Sequence, residues 1–500
     1  MLQDFSFNAP VMTVQTEGPN TDAVVETVLR GNELDLYLQA TDARPCFVKL
    51  FWKTKAPAEV YVLGDMFERS YGDLQFLPLK QNDRAMAWYF MATDKTNSFC
   101  LGVKTQPSAF VSFRFTEKGI SALADCRNGA CGVQLNGRKL LLCTFIFKTY
   151  TAEEPFACLC DFCKAMCPQP RLPAAPVYGG NDWYYAYGHN SAKSVASDAR
   201  LQAEFAKGLT PPPYMVADDG WQQGETAGPW LPNEKFMDMK AVCDSIKAAG
   251  VIPGIWMRPL LTEQKMPPEL MLLRDGKREY MDPSHPEVLK KVTEDITRIR
   301  GWGFRLLKHD YSTYDIFGSW GLELTDTITN RTDWHFYDRT KTSAEIVLAF
   351  YRTIRAAAGD MLIIGCNTVS HLCAGIVELN RTGDDTSGKE WARTLNMGVN
   401  TLAFRLAQNG AFYIVDADCV GMLEDRVPWE KNRQWLQLLA KSNTALFISC
   451  NSATPEQTAD IRAAYADAVI PHKIRPLDWL TNKTPAVWEI DGETVRFNWD

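Results

Sequence analysis

Three things are scarce in this 500-residue chain, and each scarcity excludes a class of function. No apolar run approaches the ~20 residues that a helix needs to span a bilayer. No basic block or arginine-rich stripe is present. Lys and Arg total 53 against 60 Asp and Glu, for a formal net charge of −7. That balance lacks the electrostatic footprint of a nucleic-acid binder. Histidine is rare, at six residues, and no two stand at the H-x-x-x-H spacing of a helix-borne zinc site. The opening residues, MLQDFSFNAPVMTVQ, lack a basic segment followed by an apolar one, so they do not read as a signal peptide. No fixed-period repeat or low-complexity segment occurs. The expectation is a cytoplasmic protein with no membrane or nucleic-acid partner.

Cysteine is not scarce: there are 14. Many lie inside apolar segments such as KLLLCTF and LFISCN, which suits a reducing compartment better than a disulfide framework. The densest run is FACLCDFCKAMCP, with Cys158, Cys160, Cys163 and Cys167 followed by Pro168. Its C-x2-C-x3-C-P portion looks like the tail of an iron–sulfur ligand run. The spacing also predicts a helix from Pro155 to about Cys167. On such a helix Cys160, Cys163 and Cys167 share one face, and Cys158 lies on a different side. Cysteine packs as a small hydrophobe, and a cluster needs four thiols presented together. The run therefore reads as packing, with no metal and no cofactor.

The chain is too long for one ordinary core, so two or three domains are expected. Residues 1–150 carry short alternating strands, among them DAVVETVLR, ELDLYLQA, CFVKLFWK and FVSFRF, parted by turn residues. They predict an N-terminal β-sandwich. Residues 151–173 form a connecting helix and linker. From 174 to 470, strand-like runs alternate with amphipathic helical runs that often end in glycine. The strands fall near 177–183, 214–218, 251–256, 304–310, 361–366, 376–380, 411–416 and 445–450. Eight such units predict a parallel (β/α)8 TIM barrel, with a doubly wound sheet as the alternative. Residues 471–500 form a short C-terminal β segment, whose AVWEIDGETVRFNWD reads as a hairpin turning at Asp-Gly.

A parallel barrel builds its site at the C-terminal ends of its strands. Those ends hold Asn181, Asp182, Trp183 and Tyr184; Asp218, Asp219 and Trp221; Trp256 and Arg258; Lys308, Asp310 and Tyr311; Cys366 and Asn367; Arg381, Asp384 and Asp385; and Asp416 and Asp418. Aromatic faces stack on sugar C–H faces, and carboxylates accept from sugar hydroxyls. Taken singly, each Asp has a bland reading as a helix cap, a turn residue or an oxygen ligand to a cation. Taken together they point to a carbohydrate site. Two carboxylates flanking one bond carry out glycoside hydrolysis. Lys308, two residues before Asp310, projects to the same side of the strand and lowers the pKa of Asp310. Like charge would raise the pKa of a second carboxyl, a part that Asp385 can play.

DDGWQ, GIW, K-x-D at the end of strand four and R-x-G-x-D-T after strand six occur together in this order. The ordered set resembles family 36 of the glycoside hydrolases, the α-galactosidases of clan D, over about residues 176–420. The resemblance implies a retaining double displacement on terminal α-galactosyl units of oligosaccharides or other glycosides. By motif, Asp310 is the nucleophile and Asp385 the acid/base, with Asp384 as the competing choice. Asp218 and Asp219 bind the sugar's 4- and 6-hydroxyls, and Lys308 and Arg381 bind neighbouring ones. Trp183, Tyr184 and Trp256 form pocket walls, and Cys366 lines the pocket. No cofactor is implied, and such enzymes often self-associate. Two departures stand out. Asn367 follows the strand-five cysteine where the family often has glycine. Arg258 either contacts substrate or pairs with a rim Asp, the ion pair being favoured. Other readings are an α-N-acetylgalactosaminidase, a galactosyl transferase or a silent sugar-binding relative.

Overall fold

The computed structural model describes residues 5–57 and 59–500, and all counts here are of those residues. The N-terminal strands join in one eleven-stranded antiparallel sheet. Its main path begins at Val11–Glu17 and Arg44–Lys53. It then runs through Gly119–Asp125, Phe110–Thr116, Met86–Thr93, Asn97–Val103, Lys139–Thr151 and Glu33–Gln39 to Val24–Arg30. Trp52 and Phe145 sit far apart along this order, yet their rings lie 5.6 Å apart. Phe7 packs on both of them. The sheet therefore folds over on itself, and its two inner faces share one aromatic core, as a sandwich requires.

A helix, Pro155–Met166, links this layer to the barrel. Its start is fixed by proline at the first position and by Glu154, whose side chain accepts from the backbone N–H of Phe156 and Ala157. The face expected of its cysteines is corrected here. Phe156, Cys158, Leu159, Phe162, Cys163 and Met166 are buried, and Cys160 is only half-buried. The bulky residues define the buried stripe, and Cys158 lies within its width. All 14 thiols are free.

Eight parallel strands then close on themselves, which excludes the doubly wound alternative. They are Tyr178–Asn181, Tyr214–Ala217, Ile252–Met257, Leu306–His309, Leu362–Gly365, Leu379–Arg381, Ile414–Gly421 and Ala445–Ser449. The first pairs with both the second and the eighth. Their lumen holds a separate apolar core that includes Val216, Leu306, Ile364, Leu379 and Phe447. Three antiparallel strands follow at the C-terminus. Val487–Ile490 and Glu493–Arg496 turn through Asp491 and Gly492, both at positive φ, as a tight Asp-Gly hairpin demands.

Sandwich and barrel are joined by buried polar contacts. Arg405 is fully buried and donates to Asp65 at 2.8 Å. Gln408 donates to the other Asp65 oxygen and to Tyr89, both at 2.8 Å. His371 stacks on Trp88 at 5.1 Å. No helix among the described residues is long and apolar enough to cross a membrane.

Candidate active site

Side chains two residues apart on a strand point the same way. Two residues beyond the lumen's apolar layer, four strands deliver a polar or reactive group: Asp218 after Val216, Lys308 after Leu306, Cys366 after Ile364 and Arg381 after Leu379. The mouth is therefore a polar layer laid on an apolar plug. A cavity of about 90 Å³ opens there. It is lined by Arg69, Trp183, Asp218, Asp219, Trp256, Lys308, Asp310, Tyr311, Trp320, Asp384 and Asp385.

Asp310 is held at both of its oxygens. Its two oxygens accept from the Trp256 indole N–H at 3.0 Å and the Tyr311 backbone N–H at 2.7 Å. Burial disfavours its charge. Lys308, Arg69 and the two hydrogen bonds more than offset that, leaving it below the usual aspartate pKa. The backbone bond comes with Tyr311 at φ +64°, a rare conformation for an aromatic residue and typical of strained functional positions.

Lys308 Nζ lies 2.7 Å from Asp218, which also accepts from Asn181 at 2.7 Å. Burial disfavours the ammonium, yet Asp218 beside it raises its pKa above the usual lysine value. Asp219 accepts from Gln222 at 2.5 Å, and burial pushes its carboxyl up to about 7. Asp182 lies behind the pair and accepts from the Asp218 backbone N–H at 2.7 Å.

Two adjacent carboxylates after strand six differ in their bonding. Asp384 is gripped by Arg393 at 2.6 Å and by Arg69 at 3.4 Å. Asp385 is 39% exposed and has one weaker contact, Arg381 at 3.3 Å. The like-charge expectation for Asp385 is corrected. Burial does raise its carboxyl, but Arg381, Arg69 and Lys308 outweigh this, and its pKa lies below the usual value.

Seven of the ten expected site residues meet in the cavity: Asp310, Asp385, Asp218, Asp219, Trp183, Trp256 and Lys308. The other three are outside its lining. Arg381 is buried and bonds Asp418 at 3.2 Å and the Cys366 sulfur at 3.4 Å. Tyr184 is buried with its hydroxyl donating to Asp418. Asp418 has φ +71° at an irregularity in strand seven, which aims it at this group. Arg258 forms an ion pair with Asp315 at 2.6 Å and covers the Tyr311 ring at 3.9 Å. Asn367 faces the sandwich and donates to Glu68.

Arg69 and Trp320 were not foreseen. Arg69 arrives from the sandwich and Trp320 from the long connection after strand four. Neither sits at a strand end, so the strand-end signal could not reveal them.

The fold and the mouth define a class: a sandwich-led (β/α)8 barrel whose carboxylates converge with lysine, arginine and tryptophan. Within that class, solved structures that resemble this chain include α-galactosidases of glycoside hydrolase family 36, and their fold is its fold. One is TtGalA of Thermus thermophilus with p-nitrophenyl α-D-galactopyranoside. Its TM-score is 0.62 at 14% identity, with 95% of this chain and 99% of that chain covered. Another is the family 36 α-galactosidase AgaA of Geobacillus stearothermophilus, at TM-score 0.62 and 12% identity, covering 98% and 80%. The galactosidase domain of the α-galactosidase–sucrose kinase AgaSK follows at 0.57 and 14%, covering 92% and 71%. No family model and no curated protein matches the chain.

Proposed function

We propose that this chain is a retaining α-galactosidase of the family 36 type, acting on terminal α-galactosyl units of oligosaccharides. One observation carries the reading. Asp310 and Asp385 face the same cavity as Asp218, Asp219, Lys308, Trp183 and Trp256. Asp310, held charged, is the nucleophile that attacks the anomeric carbon and forms a glycosyl-aspartate. Asp385 protonates the leaving oxygen, then deprotonates the water that releases the sugar. The free cavity favours ionised Asp385, so it takes up its proton as the bound sugar displaces water and desolvates it. Asp385 is preferred to Asp384 because two guanidiniums immobilise the Asp384 side chain, whereas Asp385 has a single contact at 3.3 Å. Asp218, Asp219 and Lys308 bind hydroxyls, and Trp183 and Trp256 wall the sugar. Arg381, Tyr184 and Cys366 support this layer from behind. No cofactor is called for.

The domain division 1–150, 151–173, 174–470 and 471–500, a cytoplasmic location and self-association belong to the same proposal. The test is release of nitrophenol from para-nitrophenyl α-galactoside, beside the α-glucoside and the α-N-acetylgalactosaminide, in wild type and Asp310→Ala. Turnover of the galactoside that vanishes in the variant supports the assignment. Turnover that survives in the variant, or preference for another sugar, overturns it.

A further inference from the structure

The cavity is incomplete if the barrel is taken alone. One of its walls is Arg69, which the sandwich carries in on the segment 65–71. That segment is fastened at several points. Arg405 binds Asp65 and also donates to the carbonyls of Met66 and Glu68, at 3.3 and 2.5 Å. The Ser70 N–H donates to the Thr382 carbonyl at 2.9 Å, and Ser70 bridges to Gly383. The sandwich segment thus docks on the residues just before Asp384 and Asp385.

The side chains continue the arrangement. Glu68 is fully buried and fixes Arg69 Nε at 2.9 Å. Asn367 in turn donates to Glu68 and accepts from the Tyr314 N–H at 3.0 Å. Tyr71 and the Trp320 ring flank the guanidinium. Arg69, only 5% exposed, then presents Nη1 to Asp384 at 3.4 Å.

We propose that Arg69 is a positioning residue: the sandwich inserts its guanidinium to hold the Asp384–Asp385 loop and to supply fixed positive charge to both Asp310 and Asp385. This rests on the roles given above to those two carboxylates. It also gives Asn367 a task, which is to hold Glu68, the residue that aims Arg69. The charged and titratable groups facing Arg69 are Glu68 and Tyr71 on its own segment and Asp384 and Asp385 after strand six, which Arg393 and Arg381 contact in turn. Lys308 and Asp310 face it from strand four, Asp218 and Asp219 from strand two, and the Cys366 thiol from strand five. An opposite charge lining the same cavity favours the ionised carboxylate. Removing it moves carboxyl titration to higher pH.

The experiment compares Arg69→Met, Arg69→Lys and Asn367→Ala in the full-length protein, with folding checked by near-UV circular dichroism. The Asp310 and Asp385 carboxyls are titrated by NMR on aspartate-labelled protein without substrate, assigned with Asp310→Asn and Asp385→Asn. Arg69→Met is expected to move both titrations to higher pH, with Arg69→Lys lying near wild type and Asn367→Ala between. With para-nitrophenyl α-galactoside, Arg69→Met should lower kcat/KM roughly 100-fold, mostly in kcat, as misplacement of a reacting group does. A folded Arg69→Met protein whose carboxyls titrate as in wild type overturns the proposal. If Arg69→Met does not fold, titrations unchanged in Asn367→Ala overturn it. Wild type without turnover counts against the hydrolase assignment alone, because the titration needs no substrate.

Discussion

The helix Pro155–Met166 carries three thiols in 12 residues, with a fourth directly after it. The barrel mouth gathers five carboxylates around a cavity of about 90 Å³. Both regions withdraw reactive groups from water, and burial works against the charged form in each. On the helix nothing opposes it strongly enough. The Cys158 thiol is pushed up to about 11 and Cys160 to about 12, and Cys163 is raised well above its ordinary value. Such thiols stay protonated and pack as apolar groups. In the mouth, Lys308, Arg69 and Arg381 stand beside the carboxylates. Asp310 therefore remains below its ordinary pKa despite partial burial, and so does the more exposed Asp385. The contrast teaches that a cluster of reactive residues becomes a site through its counter-charges and hydrogen bonds, and residue density alone does not make one.

The sharpest way to break this contrast is to remove the counter-charge. Lys308→Met leaves Asp218 without its cation and weakens the hold on Asp310. Loss of kcat/KM for the galactoside on the order of 1,000-fold is expected, the scale for deleting a preorganised electrostatic partner. A loss under tenfold would mean that Lys308 is not part of the electrostatic frame. Next comes the seam that brings Arg69 to the mouth. Arg405→Met strands the Asp65 carboxylate inside the protein, and breaking a buried pair costs about 3–5 kcal/mol. Urea unfolding should show it, and a near-neutral result would mean that the seam relaxes around Asp65.

On the cysteine helix a small effect is expected. Cys163→Ala removes one buried atom, costs about 1 kcal/mol of stability and leaves kcat/KM unchanged. Lost activity, or iron copurifying with the wild type, would return the thiols to a functional role. A pH-dependent effect concerns His371, which burial pushes down to about 4 from the ordinary 6.5. A histidine held neutral in the folded state stabilises above its unfolded pKa. That contribution is lost as pH falls from about 6.5 toward 4, because the unfolded chain takes up the proton first. His371→Phe should therefore gain stability relative to wild type as urea titrations move from about pH 7 to pH 4.5. A difference independent of pH would contradict the neutral assignment.

Much of the fold was readable from residue order, since alternating strand and helix patterns are local signals. Each of the eight expected barrel strands overlaps an observed one, and the Asp-Gly turn at 491–492 lies where its chemistry requires. The carboxylates of the mouth were readable for the same reason, because strand ends in a closed barrel converge. Three features were beyond such reading. Arg69 reaches the cavity only through domain docking, which no local pattern encodes. The buried face of the cysteine helix turned on the bulk of Phe156, Leu159 and Phe162, which thiol spacing ignores. The low pKa of Asp385 depends on cations brought from three separate stretches of chain, so the neighbouring Asp310 was a poor guide to it.

In the proposed mechanism Asp310 and Asp385 act as a retaining pair on an α-galactoside. Proton NMR of the first product formed from para-nitrophenyl α-galactoside tests it most directly. With retention, α-galactose appears first and the β anomer grows in only by later mutarotation. β-Galactose as the first product would contradict the double displacement, and with it the role assigned to Asp310.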